Sequence, residues 1–212
     1  MAWLTIRYRM VQAAQLETSR PRLGRAEWIR EGLRVLADAG IEAVRVEPLA
    51  TRLSVSKGSF YWHFEDRDEL LVAMLDAWRQ RATQGVIQLV DSLSEEPHRR
   101  LRDLVGLVAR RPEDREFWFE IGFRDWARRD RRARVAVESV DAERVGYIHR
   151  LLLDLGLSEE DAEARAFLIY SYILGEGVVS RTATRFGRAD RVERCVEQLL
   201  SNLPKKARKV PR

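Results

Sequence analysis

The sequence is poor in the features that mark secreted and membrane-spanning proteins. Its only cysteine, Cys195, excludes an internal disulfide and is typical of a reducing compartment. No apolar run approaches the roughly 20 residues that a membrane span needs, and Arg7 and Arg9 interrupt the apolar stretch that a signal peptide requires. We therefore expect a cytoplasmic protein without a membrane partner.

Short motifs typical of enzymes are also missing. The sequence contains no HExxH motif, no Cys-His metal-ligand spacing, no GxSxG motif and no phosphate-binding glycine loop. Gly175 and Gly177 lack the third glycine and the preceding strand of a nucleotide-binding loop. We expect no catalytic residues, no metal site and no cofactor, with an enzyme that uses a C-terminal cavity kept as an alternative.

Helical periodicity, by contrast, runs through most of the chain. Ala26, Ile29, Leu33 and Leu36 are spaced by three and four residues, which predicts an amphipathic helix that Gly40 ends. No run of alternating polar and apolar residues with hairpin turns indicates a strand. The predicted fold class is therefore all-α. The predicted helices cover residues 25–39, 46–53, 57–63, about 66–92, 97–110, 113–127, 131–155, 159–184 and 188–202.

Charge is distributed unevenly along the chain. Residues 1–64 carry a net charge of +4, residues 65–203 carry −4, and the tail 204–212 has five basic and no acidic residues. A basic N-terminal module on a slightly acidic body favours a polyanionic partner such as nucleic acid. A general bias toward arginine, which supplies 34 of the 38 basic residues, gives the same excess without any partner.

Within the basic N-terminal module, the segment VSKGSFYWHF (residues 55–64) accounts best for a polyanionic partner. Two short helices joined by a tight turn after a longer helix form a helix-turn-helix, in which small Ala50 allows close packing and Phe60 closes the core. The second helix then presents Ser56, Lys57 and Ser59 at its N-terminus. Free N–H groups and the helix dipole at that end attract an anion. Further along, Tyr61 and His63 can donate hydrogen bonds to phosphate.

Residues 26–78, above all KGSFYWHFEDRDELL (57–71), resemble the DNA-binding domain of the tetracycline-repressor (TetR) family of bacterial transcriptional regulators. The resemblance implies a recognition helix in the major groove and a larger helical domain for ligand binding and dimerisation. It implies that Trp62 packs beneath the recognition helix. The implied DNA contacts are Arg45, Ser56, Lys57, Ser59, Tyr61, His63 and Arg67. The implied organisation is an N-terminal arm (1–22), a helix-turn-helix DNA-binding domain (23–68), a ligand-binding and dimerisation domain (69–203) and a basic disordered tail (204–212).

Two positions depart from the family pattern. Arg45 stands where the family often has a Ser or Thr N-cap, which removes a cap worth about 1 kcal/mol and adds a charge. Ser54 stands where the family often has a turn glycine. A left-handed backbone at Ser54 would cost on the order of 1 kcal/mol.

Aromatic density between residues 97 and 185 favours a cavity for a small, largely apolar inducer. The same aromatics at helical spacing are equally typical of a packed core. Three polar side chains, Glu120, Arg124 and His149, would fix the orientation of a ligand in such a cavity. The candidate ligand residues are Trp118, Glu120, Arg124, Trp126, Tyr147, His149 and Tyr170.

The last two predicted helices, 159–184 and 188–202, have more apolar residues than one buried face needs, which predicts a homodimer interface. Small residues such as Ser171 and Gly175 would permit close approach. Together with the resemblance, this predicts a regulator that binds a near-palindromic DNA operator as a dimer, represses transcription and is released by a ligand. A helical adaptor that binds a protein partner is the main alternative.

Overall fold

The computed structural model describes residues 23–109, 115–179 and 187–203, and every regular element in these ranges is helical. The predicted all-α fold is confirmed, while the predicted arm (1–22) and tail (204–212) lie outside the described residues. No helix in the described ranges is long and apolar enough to cross a membrane. The α-helices are α1 (Arg25–Ala39), α2 (Val46–Leu53), α3 (Lys57–Phe60), α4 (Arg67–Arg79), α5 (Gly85–Leu93), α6 (Pro97–Ala109), α7 (Arg115–Ala127), α8 (Arg131–Asp154), α9 (Glu159–Val179) and α10 (Arg188–Leu199).

The residues at the ends of the first three helices explain where these helices begin and end. Glu27 Oε2 accepts a hydrogen bond from the N–H of Gly24 at 2.8 Å and so closes the start of α1. Gly40 ends α1 with φ 78° and donates its N–H to Leu36 O at 3.0 Å, as its position predicts. The turn between α2 and α3 puts Ser54 in the left-handed region, with φ 58°. The cost expected for a non-glycine residue there, on the order of 1 kcal/mol, therefore applies.

Helix α3 is shorter than predicted, and this changes the position of one aromatic residue. The helix ends at Phe60 rather than at residue 63, and the next three residues form a turn. Phe60 and Phe64 are buried, whereas Trp62 is 87% exposed, so the prediction that Trp62 packs beneath the helix is wrong. The Phe64 N–H donates a hydrogen bond to Phe60 O, and this turn directs both phenylalanine rings into the core. Trp62, which lies between them in the sequence, faces solvent.

The buried apolar residues form two cores, and the π-helical turn (Gln80–Gln84) joins α4 of the first core to α5 of the second. The first core combines α1 to α4 with α7 and the start of α8, and the second combines α5 and α6 with the rest of α8, α9 and α10. Every buried residue of α4 lies in the first core, so we call α1 to α4 the N-terminal module and the remaining helices the body. The domain boundary after residue 68 remains a prediction.

Helix α7 is the part of the body that packs most closely on α1. Gly122 makes this approach possible, since a Cβ atom there would lie 2.8 Å from Leu36 Cγ and 3.2 Å from Leu36 O. Phe123 follows on the same helix and stacks on Trp78 of α4, with ring centroids 4.5 Å apart. The N-terminal module is therefore held by the body through packed side chains on α7.

Candidate nucleic-acid interface

An aromatic cluster fixes the turn that follows α3. Trp28 of α1 meets Phe60 edge to face at 5.2 Å, and Phe60 stacks on Phe64 at 5.2 Å. The guanidinium of Arg25 also lies over the Phe64 ring, 4.2 Å from its centroid. Arg25 also donates hydrogen bonds to His63 O and, at 2.7 Å, to Glu69 Oε1. This brace holds the backbone of the turn and so sets the positions of its exposed side chains.

The exposed side of α3 and its turn carries most of the predicted DNA contacts. Ser56 is the N-cap of α3 and is exposed, Lys57 is exposed, and Tyr61 is 55% exposed. Trp62 adds a large aromatic surface directly beside them. Ser59 is only half-buried, and its N–H bonds to the Ser56 carbonyl at 3.0 Å. We call Ser56, Lys57, Tyr61 and Trp62 the reading face.

One acidic side chain restrains the reading face. Lys57 Nζ lies 2.5 Å from Glu47 Oε1 of α2. This hydrogen bond raises the pKa of Lys57 and lowers the pKa of Glu47, so the pair is fully ionised at neutral pH. Both side chains are more than half exposed, and exposed pairs of this kind contribute little stability. A phosphate that approaches Lys57 would therefore compete with a weak partner.

Two of the predicted phosphate contacts point into the protein. Arg67 is half-buried and donates from Nε to Val44 O at 2.6 Å and from Nη2 to Ile41 O at 2.9 Å, which holds the loop between α1 and α2. His63 is half-buried, and its Nε2 lies 3.2 Å from Leu23 O. Sequence reasoning missed these bracing roles because their backbone partners are 23 to 40 residues away. Arg45, the N-cap residue of α2, is exposed and remains available.

Three of the candidate ligand residues meet in a buried polar network in the body. Arg124 Nη2 lies 2.7 Å from Glu120 Oε1 and donates to Tyr170 Oη at 3.1 Å. No local pattern in the chain pointed to the other two members, Asp141 and Arg144, both of α8. Arg124 forms a two-point contact with Asp141 at 3.0 and 2.6 Å, and Arg144 Nη1 donates to Glu120 Oε2 at 3.0 Å.

The network is balanced in charge, with two arginines and two carboxylates. Burial is the largest single influence on Asp141 and disfavours its charge, but the hydrogen bonds from Arg124 and Tyr170 and the charges of Arg124 and Arg144 together outweigh it and lower the pKa of that carboxyl. Burial raises the pKa of Tyr170 to about 12. Arg144 extends the network to the π-helical turn, where it donates to Thr83 Oγ1 at 3.0 Å. The network thus connects α7, α8 and α9 to the junction between the two cores.

The remaining candidate ligand residues are scattered. Trp126 is buried in the first core beside Phe123, and Trp118 is 38% exposed. His149 is half-buried, with Nε2 3.3 Å from Glu159 Oε1. Tyr147 lines a separate cleft between α5, α6 and α8. The seven residues therefore do not line one pocket.

The cleft at Tyr147 has a volume of about 300 Å³ and lies between α5, α6 and α8. Tyr147 donates to Asp91 Oδ1 at 2.6 Å, and Arg100 lies 3.3 Å from the same oxygen. Arg150 and Asp154 also line it, so its chemistry is more polar than the sequence predicted for an inducer site. Among the described residues, no group of three or more His, Cys, Asp or Glu side chains is arranged to hold a metal ion.

The segment that carries the reading face matches a known family of DNA-binding proteins. Residues 29–74, from α1 through most of α4, match the family model of bacterial regulatory proteins of the tetR family. The match covers less than a quarter of the chain. Over 56 residues the chain is 39% identical to the tetracycline repressor protein class C of Escherichia coli, which covers 26% of either chain. The chain therefore matches about a quarter to a third of the length of these curated repressors.

Solved structures resemble the chain over most of its length. A TetR-family transcriptional regulator from Streptomyces coelicolor has a TM-score of 0.72 at 17% identity, over 92% of this chain and 95% of that one. AibR, solved in complex with isovaleryl coenzyme A and operator DNA, has a TM-score of 0.65 at 17% identity, over 83% of this chain and 97% of its own. At these identities the likeness shows a shared fold.

An exposed apolar stripe on α9 marks the predicted dimer face. Phe167, Leu168 and Val179 are 65%, 59% and 56% exposed, and Ser171 and Gly175 lie between them at helical spacing. The exposed side of α10, by contrast, is polar, with residues such as Glu197 and Gln198. Residues 180–184, predicted to belong to the first of these helices, lie outside the described part of the chain.

Proposed function

We propose that this protein is a tetR-family transcriptional repressor that binds a near-palindromic DNA operator as a homodimer. The observation that carries the proposal is the reading face: Lys57 projects from α3, and Tyr61 and Trp62 project from the turn that the buried aromatic cluster anchors. A cation and a phenol can contact backbone phosphates, and an exposed indole can pack on sugars or thymine methyl groups. Arg45, Ser56 and Ser59 complete the proposed contact set, whereas Arg67 and His63 act on the fold.

The stripe on α9 supports the dimer. Three exposed large apolar side chains on one helix are unusual for a monomer, and the small residues among them allow a second helix to approach closely. An antiparallel pair of α9 and α10 from each protomer would form a four-helix bundle. Such a dimer would present two reading faces to half-sites about one turn apart, ~34 Å.

Ligand control follows from the way the body holds the N-terminal module. The buried network fixes α7 and α8 to the π-helical turn, and α7 packs on α1 at Gly122. A small molecule that shifts α7 would therefore move the reading face, which is coupling by population shift. The cleft lined by Asp91, Arg100 and Tyr147 favours a ligand with charged or polar groups over a purely apolar one.

Selection from a random-sequence duplex library tests the proposal, because it recovers an operator of any sequence. The expected result is enrichment of a two-fold symmetric site whose half-sites lie about one turn apart. A Phe167→Glu variant should remain folded, because its side chain is exposed, and should enrich half-sites only. Failure of the wild-type protein to enrich any sequence at low salt would refute DNA reading and would favour the adaptor alternative. Enrichment of a single asymmetric site would refute the dimer.

A further inference from the structure

We propose that the turn between α7 and α8 is a second DNA-contact surface that binds backbone phosphates outside the site read by α3. Five arginines lie within seven residues there, and all five are exposed. They are Arg128, Arg129, Arg131, Arg132 and Arg134, which we call the arginine patch. The proposal rests on the DNA-binding function proposed above and extends it from the N-terminal module to the body.

One ion pair places the arginine patch beside the N-terminal module. Arg132 Nη1 lies 3.2 Å from Asp68 Oδ2, and Asp68 is in the first turn of α4, directly after the loop that follows the reading face. Asp68 and Trp62 are only six positions apart in the chain. Arg132 therefore brings the patch into contact with the start of α4, the end of α4 at which the turn that carries Tyr61 and Trp62 lies.

Local hydrogen bonds give the turn a defined conformation. Asp130 caps α8 by accepting from the N–H of Arg132 at 2.7 Å, and it also accepts from the guanidinium of Arg132 at 3.1 Å. Arg134 Nε donates to Ala127 O at 3.3 Å, which closes the turn from the other side. The remaining guanidinium groups are thus presented on an ordered scaffold, so a bound polyanion would not have to order the backbone.

The charges of the patch are only partly compensated. Three carboxylates reach it: Asp68 and Asp130 at Arg132, and Asp125 at Arg129, 3.9 Å away. Within the described residues, Arg128 and Arg131 contact no carboxylate, and Arg134 contacts only a carbonyl. Five cations against three anions leave an excess of positive charge at the surface.

The position of these cations is unfavourable for the helix that bears them. The first turn of α8 contains no acidic residue, although the dipole of this 24-residue helix favours anions and disfavours cations there. Arg132 and Arg134 have structural partners there, but Arg131 contacts no carboxylate among the described residues, so its charge at this helix end is unfavourable for folding. A phosphate, in contrast, would meet both the guanidinium groups and the positive end of the helix.

DNA is the occupant that fits best, because its phosphates are repeated charges that continue past the bases read by α3. The test is the salt dependence of binding to a random-sequence fluorescent duplex, which needs no operator. The test variant is Arg128→Gln with Arg131→Gln. The matched control is Arg99→Gln with Arg102→Gln, two exposed arginines whose removal changes net charge equally. Both lie on α6, a helix of the second core, whereas the patch lies where α7 and α8 meet in the first core.

We expect the test variant to bind more weakly than wild type and to lose about 1.8 from the slope of log K against log salt per bound protomer, since each phosphate contact contributes about 0.9. The control should keep the wild-type slope. The melting temperature of the test variant should be unchanged or slightly higher, because cations are removed from a helix N-terminus. Equal slopes for the two variants would overturn the second surface while leaving the regulator intact. Absence of DNA binding by the wild type would overturn both proposals.

Discussion

The contact between Gly122 and Leu36 allows a quantitative test of how the body holds the N-terminal module. Substituting alanine at position 122 would place a methyl group 2.8 Å from Leu36 Cγ and 3.2 Å from Leu36 O, both inside normal contact distance. Leu36 is 1% exposed and cannot move away freely. Overpacking of this kind costs about 1–3 kcal/mol, and replacing a helix glycine by alanine returns about 1 kcal/mol.

Gly106 of α6 is the matched control, because a Cβ atom there meets no atom of the described residues within 4 Å. The Gly106→Ala variant should show the helix gain alone, so the two alanine variants should differ by the overpacking cost. For a chain of this size that difference corresponds to roughly 2–12 °C in melting temperature. Calorimetry or circular dichroism would measure it, with Gly122→Ala the less stable variant.

A Leu36→Ala background tests the cause of the difference. Removing Cγ removes the closer of the two clashes, so Gly122→Ala should cost much less in this background than in wild type, with a coupling of at least about 0.5 kcal/mol. Two results would refute the reasoning. One is equal stability of the Gly122→Ala and Gly106→Ala proteins, and the other is an identical cost of Gly122→Ala with and without Leu36.

Three further predictions concern charges and buried hydroxyls. Glu47→Gln should strengthen binding to a random duplex in a fluorescence titration, because it releases Lys57 and removes an anion from the reading face; unchanged or weaker binding would contradict this. Tyr170 has a pKa raised from 10.0 to about 12, so its contribution to stability is complete below pH 10 and is lost as pH rises to 12. Tyr170→Phe should therefore flatten the fall of unfolding free energy in this window, by up to about 3 kcal/mol, and parallel curves would be inconsistent with the shift. Arg144→Gln should cost about 3–5 kcal/mol in urea unfolding because it leaves Glu120 undercompensated, and a second substitution, Glu120→Gln, should recover part of that loss.

Helix positions could be predicted from the sequence because they depend on local information. The spacing of apolar residues and the glycine after α1 define Arg25–Ala39 and Val46–Leu53 at both ends. The end of α3 was different. Its four residues are too few for a periodic signal, and the aromatic packing of Phe60 and Phe64, not helix propensity, decides where the chain turns. Trp62 was misplaced for that reason.

Side-chain partners that lie far apart in the sequence could not be predicted in the same way. Arg67 was expected at a phosphate, but the carbonyls of Val44 and Ile41 bind it within the module. Asp141 and Arg144 belong to a network whose members come from three helices and the π-helical turn, and nothing in their local sequence distinguishes them from surface charges. Tertiary packing alone brings such groups together.

The aromatic residues of α7 illustrate the same limit. Their density favoured a ligand cavity, yet Phe123 and Trp126 are buried in the core shared with α4. Their contacts serve the attachment of the N-terminal module. Aromatic density in the sequence therefore located a helix that packs on the N-terminal module, and the ligand cavity remains a prediction.

The central claim is that Lys57 and Tyr61 read DNA, and one measurement tests it most directly. Wild type, the Lys57→Gln/Tyr61→Phe variant and an Arg99→Gln control would be titrated against one duplex at several salt concentrations. The structure predicts steep salt dependence for wild type and control, with weaker binding and a shallower slope for the double variant. Identical curves for all three proteins would contradict the claim, because DNA would then bind without the reading face.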